Sequence, residues 1–325
     1  MTDKAFATQN FCTLARCRLP VVQAPIGGVA GPSLASAVAN AGGLGSMALT
    51  WRDAPGVRAA LREVRATSTG AINANFVLDF PVDAQLDAAL EEGVEVVSFF
   101  WGDARSHITR VKRAGACVIV VVGSVDEARR AVESEADVIV AQGAEAGGHV
   151  RGDTPLAELL PWVIMAADGR PVLAAGGIVS SEDAERVKQV GAAGVWVGTR
   201  FVASAEANAH PSYKAAVVAA GRDATILSEL FDGGWPNAKM RTLVNSTVRV
   251  WEDAGRPQPG GRPGEGEIIG ISGGRPLPRY DSDAPTSQTS GEVEAMALYA
   301  GTGAERIRDI LGAGAIVSAL AAPWT

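Results

Sequence analysis

The chain has 325 residues, 47% hydrophobic and 20% charged, with a formal net charge of −7. That length and balance fit a globular chain with a sizeable core, in one large domain or two ordinary ones. The acidic charge and the lack of any basic run argue against nucleic acid or an anionic membrane surface as a partner.

In chain order the sequence repeats one unit. Residues 20–24 read as a short buried strand, followed by glycines at 27–31 and a helix over 32–41 that Pro32 and Ser33 open. A second strand covers 45–49, and Asp53 caps a helix over 53–66. Strand 71–78 precedes helix 82–92, and strand 94–100 precedes helix 104–114. The fifth strand, 117–122, is aliphatic after Cys117, and Ser124 caps helix 125–134. Residues 138–141 form the sixth strand. Helix 155–167, strand 171–175, helix 181–190 and strand 195–197 complete the series. Near-continuous apolar strands with helical crossovers imply a parallel sheet covered on both faces. Eight such units close into a (β/α)8 TIM barrel, an α/β fold whose chemistry sits at the C-terminal strand ends.

The pattern breaks at about Thr225. Residues 225–290 are rich in Gly, Pro and Arg and read as a small appended lid, with helices around 240–254 and then a long loop. Residues 291–320 are again apolar and helical. The expected division is therefore a barrel of residues 1–222 and 291–325, with 223–290 as a lid or substrate domain. Residues 116–122, the longest purely apolar run, are far too short to span a bilayer, and residues 1–19 carry no signal-peptide core. Three cysteines without paired spacing point to reduced thiols in a cytoplasmic compartment and to no metal site.

The chemistry signals follow strand ends. Gln142-Gly143-Ala144-Glu145-Ala146-Gly147-Gly148-His149 follows the sixth strand. Its paired glycines let backbone approach a flat ligand, and His149 can change protonation near neutral pH. Gly176-Gly177 follows the seventh strand and Gly198-Thr199 the eighth, the phosphate-binding arrangement of many barrels. The glycines at 27–31 lack the spacing of a dinucleotide fingerprint. Asn73 and Asn75 share one strand face, with Asn75 the better candidate to face a ligand. Gln142 can reach into the barrel mouth, and Trp101 beside Gly102 is either core or a pocket wall. His107 and His210 lie on expected helices, away from strand ends. No Ser–His–Asp set, carboxylate pair or metal cluster stands out.

Together these segments resemble the nitronate monooxygenase family. The likeness continues in Leu243-Val244-Asn245-Ser246 and in the residues from Glu294 to Gly301. It implies an FMN-dependent barrel with a lid that oxidises alkyl nitronates with O2 to carbonyl compounds and nitrite. By this resemblance Ala24, Pro25 and Ile26 run beside the flavin, Asn75 bonds it, and Gln142, Gly147 and Gly148 line it. Gly176, Gly177, Gly198 and Thr199 hold its phosphate, and Tyr299 and Gly301 close the pocket. His149 falls on the family's catalytic histidine, the base toward neutral nitroalkanes. The implied partners are a small nitronate or nitroalkane and O2, with no nucleic acid and no membrane, in a monomer or homodimer. Three positions depart from the family: Ile26 replaces a usual methionine, Thr302 a common glutamine, and the fifth strand offers no polar side chain near the flavin. The pocket residues are mostly apolar, which suits a small or medium aliphatic nitronate. The alternative is an FMN-dependent enoyl-thioester reductase using NAD(P)H, which shares the barrel and a similar Gly-Gly-His loop. A non-catalytic flavin or phosphate binder is a third reading.

Overall fold

The computed structural model describes residues 2–325, with side chains from Phe6 onward. The aliphatic runs form parallel strands: β1 (Val21–Gln23), β2 (Gly45–Ala48), β3 (Ile72–Val77), β4 (Val96–Phe100), β5 (Cys117–Val122) and β6 (Val138–Gln142). After an outlying two-residue strand, β7 (Gly148–His149), come β8 (Val172–Ala175) and β9 (Gly194–Val197). The eight barrel strands pair in the order β1-β9-β8-β6-β5-β4-β3-β2. A bridge between Val22 and Leu44 joins β1 to the start of β2 and closes the ring. The fold is a TIM barrel with alternating helices outside.

The inside of the barrel is packed with Val22, Val96, Ile119, Val140, Leu173 and Trp196. Phe11, fully buried, joins this cluster from a helix at Thr2–Leu14. The sequence reading has no helix there, because its apolar residues do not recur at helical spacing. Expected caps are present: Asp53 Oδ1 accepts the Gly56 N–H at 2.8 Å, and Ser124 Oγ accepts that of Glu127 at 3.2 Å. The thiols of Cys12 and Cys17 hydrogen-bond each other, and all three cysteines are free. Among the described residues no helix is long and apolar enough to cross a membrane.

Beyond β9 three sequence expectations change. Residues 240–243 are a strand, β11 (Met240–Leu243), not the start of a helix; the helix begins only at Ser246 and runs to Asp253. The strand forms because Met240 and Arg241 pair with His149 and Gly148 of β7, while its other edge pairs with β10 (Thr225–Ser228). The expected long loop holds a hairpin, β12 (Ile268–Ser272) and β13 (Arg275–Pro278), joined by β14 (Thr289–Gly291) on the other edge of β12. Gly273 and Gly274, at φ 56° and 84°, supply the two left-handed residues that such a tight hairpin turn needs. The Gly/Pro-rich stretch before it is anchored by Arg262. Its guanidinium donates to the Leu230 carbonyl at 2.9 Å and Asp232 at 2.7 Å, and lies over the Tyr280 ring. Residues 291–320 are less helical than expected: one α-helix, Ala313–Ala321, follows short 3-10 turns at Val293–Ala295 and Thr302–Arg306.

Candidate active site

At the C-terminal strand ends a cavity of about 680 Å³ opens. Ala24, Pro25 and Ile26 enter it after β1, Asn75 from β3, Gln142 from the end of β6, Gly198 and Thr199 after β9, and Tyr299 from the C-terminal segment. Gly147, Gly148 and His149 line it as well. It adjoins a pocket of about 70 Å³ walled by Gly176, Gly177, Gly198, Thr199 and Gly301. Every residue that the family resemblance assigned to the site therefore borders one continuous region.

The local reasons differ from those read in the sequence. A Cβ on Gly147 would lie 2.4 Å from the Gly301 backbone nitrogen, and one on Gly301 would lie 2.6 Å from the Glu145 carbonyl oxygen. These two glycines thus serve close packing of backbone on backbone. Gly148 has open space around it, but its φ of 74° disfavours any other residue. Gln142 spends its amide on the loop: Nε2 donates to the His149 carbonyl at 3.1 Å and Oε1 accepts the Arg151 N–H at 2.9 Å. It holds His149 at the rim and keeps one amide N–H beyond these two bonds. Glu145 caps the returning helix by accepting the Leu156 N–H at 2.9 Å, and Arg241 donates to the Ala144 carbonyl at 2.7 Å.

His149 lies in β7 with its ring stacked on Trp235, centroids 4.0 Å apart. Trp101 and Tyr299 approach at 6.4 and 5.7 Å. Its Nε2 is buried without a hydrogen-bond partner. Burial disfavours the imidazolium and lowers the pKa to about 4, so the ring is neutral at neutral pH. The half-buried ring thus holds a neutral, unpartnered Nε2 that can accept a proton from a substrate that reaches it, as a weaker base than an exposed imidazole.

The small pocket fits a phosphate. Gly176 and Gly177 have φ of 117° and 68°, and no Cβ fills the space between them and Gly198. No acidic side chain lines it. The Thr199 hydroxyl accepts the Gly301 N–H at 2.9 Å and keeps its own proton to donate. The helix expected to point at this pocket is a single turn, Thr199–Val202, so hydroxyl and backbone donors outweigh any helix dipole. Asn75 Nδ2 donates to Ser98 Oγ at 2.9 Å, which leaves its carbonyl oxygen as an acceptor on the cavity. Asn73 is fully buried, with Nδ2 held between Ser46 and Ser98, and takes the core role. From β5 only Val121 reaches the cavity, which agrees with the apolar departure seen in the sequence.

Trp101 is not a wall of the cavity. At φ 62° it packs behind His149 on Trp235 and carries the Arg151 guanidinium at 4.7 Å. His107 and His210 stay apart from the site: His107 neighbours Asp83 and Arg110, and His210 caps the helix at Pro211–Val218. No metal-binding cluster occurs among the described residues. Sequence reasoning missed Trp51, Phe80, Trp196, Trp235, Arg275, Asp281 and Asp283, all of which line the cavity. Trp51 and Phe80 follow the ends of β2 and β3, where the barrel rule could have found them. Nothing local marks the last four.

The sequence pattern of the nitronate monooxygenase family matches residues 9–87 and 71–322. The chain belongs to that family. Among curated relatives, the nitronate monooxygenase of Pseudomonas aeruginosa is 33% identical over 281 residues, covering 71% of this chain and 80% of that one. A (3aS,4S,5R,7aS)-5-hydroxy-7a-methyl-1-oxo-octahydro-1H-indene-4-carboxyl-CoA dehydrogenase of Mycobacterium tuberculosis is 37% identical over 227 residues, 69% of this chain. The chain spans less than two thirds of that relative's length, 63%. Among solved structures, FabK of Thermotoga maritima superposes with a TM-score of 0.82 at 26% identity, covering 96% of this chain and 94% of that one. Nitroalkane oxidase of Streptomyces ansochromogenes gives 0.77 at 29% identity, with 97% of both chains covered. This member of the nitronate monooxygenase family thus has oxidoreductases as neighbours by sequence and by fold.

Proposed function

We propose that the protein binds FMN and oxidises alkyl nitronates, and neutral nitroalkanes where it can deprotonate them, with O2 to carbonyl compounds and nitrite. One observation carries this: a half-buried histidine with an unpartnered Nε2 borders a glycine-walled cavity that continues into a phosphate-sized pocket. When bound, FMN supplies the acceptor for an electron pair from the substrate and the route for those electrons to O2. Gly176, Gly177, Gly198 and Thr199 hold its phosphate. Ala24, Pro25, Ile26, Gly147 and Gly148 wall the ring, Gln142 lies behind it, and Asn75 offers its carbonyl oxygen to the ring edge. Tyr299 and Gly301 close the C-terminal side, and the Tyr299 hydroxyl is already engaged with the Ser282 carbonyl at 2.6 Å. His149 takes the α-proton of a neutral nitroalkane. Residues 223–290 act as the lid, since Trp235 and Arg275 reach the cavity from that segment and exclude water.

A thioester reading has its own support, the 37% identity to a carboxyl-CoA dehydrogenase. The absorbance spectrum of the purified protein comes first, followed by anaerobic mixing with ethyl nitronate and, separately, with NADH. Flavin bleaching by the nitronate and not by NADH is the expected result. Bleaching by NADH alone overturns the proposal in favour of an NAD(P)H-dependent thioester reductase.

A further inference from the structure

The proposed chemistry uses the glycine-lined part of the cavity and assigns the aromatic wall no contact with substrate. Trp51, Phe80 and Trp235 stand there together, from the loops after β2 and β3 and from the segment between β10 and β11. Trp51 and Phe80 meet edge to face at 5.5 Å, Phe80 and Trp235 at 5.5 Å, and Trp51 and Trp235 at 6.4 Å. Trp235 is oriented by its indole N–H, which donates to Asp79 at 3.1 Å. Trp51 is 56% exposed, an unusual state for so large an apolar side chain at the edge of a cavity. The charged side chains on the cavity are Arg275, Asp281 and Asp283. Arg275 pairs with both aspartates, at 2.8 Å to Asp281, so the rim carries net negative charge. A phosphate-bearing arm gains nothing at such a rim, whereas an uncharged ring gains aromatic contact with the cluster.

We propose that Trp51, Phe80 and Trp235 form a substrate subsite for an uncharged aromatic or alicyclic ring. The preferred nitronate then carries such a ring and is not a short aliphatic one. This deepens the nitronate reading and rests on it.

The test uses FMN-loaded protein and compares kcat/KM for the nitronates of nitroethane, nitrocyclohexane and phenylnitromethane. The ring substrates are expected to lead ethyl nitronate by about tenfold or more, the scale on which apolar pockets discriminate. Trp51→Ala with Phe80→Ala is expected to remove that lead, mainly through KM. Trp51→Leu alone, at an exposed position, answers the same question should the double variant not fold. Anaerobic calorimetry with nitrocyclohexane and nitroethane reads binding apart from turnover. Saturable binding of nitrocyclohexane with no turnover of any nitronate supports the subsite and overturns the reaction. Equal kcat/KM for ethyl and ring nitronates, or a ring preference that survives Trp51→Leu and the double change, overturns the subsite.

Discussion

A neutral nitroalkane must lose its α-proton before electrons can leave that carbon, while a nitronate has already lost it. His149→Asn keeps similar bulk and a donor but cannot accept the proton. A positioned base contributes about 10²–10⁴-fold to such a step. The variant is therefore expected to lose at least about a hundredfold in kcat/KM on nitroethane. It should keep most activity on ethyl nitronate and retain its flavin. An equal drop on both substrates would show that His149 binds or orients and is not the base. Thr199→Glu places a carboxylate against the phosphate pocket, and the protein should purify colourless; full flavin content in that variant would misplace the phosphate. At this scale the sequence was informative about position and less so about cause. His149 and the glycines could be found because they follow strand ends. That Gly147 and Gly301 are small for each other's backbone, and that Gln142 is consumed by its own loop, depends on partners distant in the chain or on side-chain direction.

The barrel strands were readable as elements because β5 and its neighbours are unbroken buried aliphatic runs, and such runs have few other places to go. The short strands past β9 were not. Met240–Leu243 has four residues, and what makes it a strand is pairing along its whole length with β10 and, at Met240 and Arg241, with β7 far earlier in the chain. Only Gly273-Gly274 carried a local hairpin signal there. Trp235 belongs to this unreadable part, and it covers His149. Gly234 just before it sits at φ 100°, which only glycine adopts easily. Trp235→Ala should admit water to the imidazole and relieve the desolvation that lowers its pKa to about 4. The ring's other aromatic neighbours are Trp101 and Tyr299, and burial is the cause of the shift, so the pKa should rise toward the ordinary 6.5. In the wild type, kcat/KM for a neutral nitroalkane should then stay level down to about pH 5 and fall only toward pH 4. In Trp235→Ala the fall should begin near pH 6.5. A pH–rate profile on nitroethane for both proteins decides it, and superimposable profiles would remove Trp235 from any role in tuning the base.

Over the whole molecule the same burial couples the site to stability. The C-terminal segment closes on the barrel through Arg306, which donates to the Gly177 carbonyl at 2.7 Å and pairs with Asp183 at 3.0 Å. Asp183 is 4% exposed and also accepts the Val179 N–H at 2.9 Å. These bonds and the two arginines beside it outweigh its burial and hold its pKa below the ordinary carboxylate value. Its stabilisation is present above the unfolded pKa of 3.8 and is lost as pH falls below that value. His149 acts in the opposite chemical sense with the same result. Its folded pKa is lowered from 6.5 to about 4, so between those values the unfolded chain binds the extra proton and stability falls as pH drops. His107, lowered by burial in the same direction, adds to that window. Tm should therefore decline in two stages, first from pH 6.5 to about 4 and then again below about 3.8 as Asp183 takes up a proton. His149→Asn has nothing to titrate in the first window, so its decline there should be shallower, with only His107 remaining. The second stage should be unchanged. Scanning calorimetry of the two proteins from about pH 7 to about pH 2 separates the stages. Parallel Tm curves across pH 6.5 to 4 would mean that His149 is open to water in the folded protein, and the buried base proposed for this site would be lost with it.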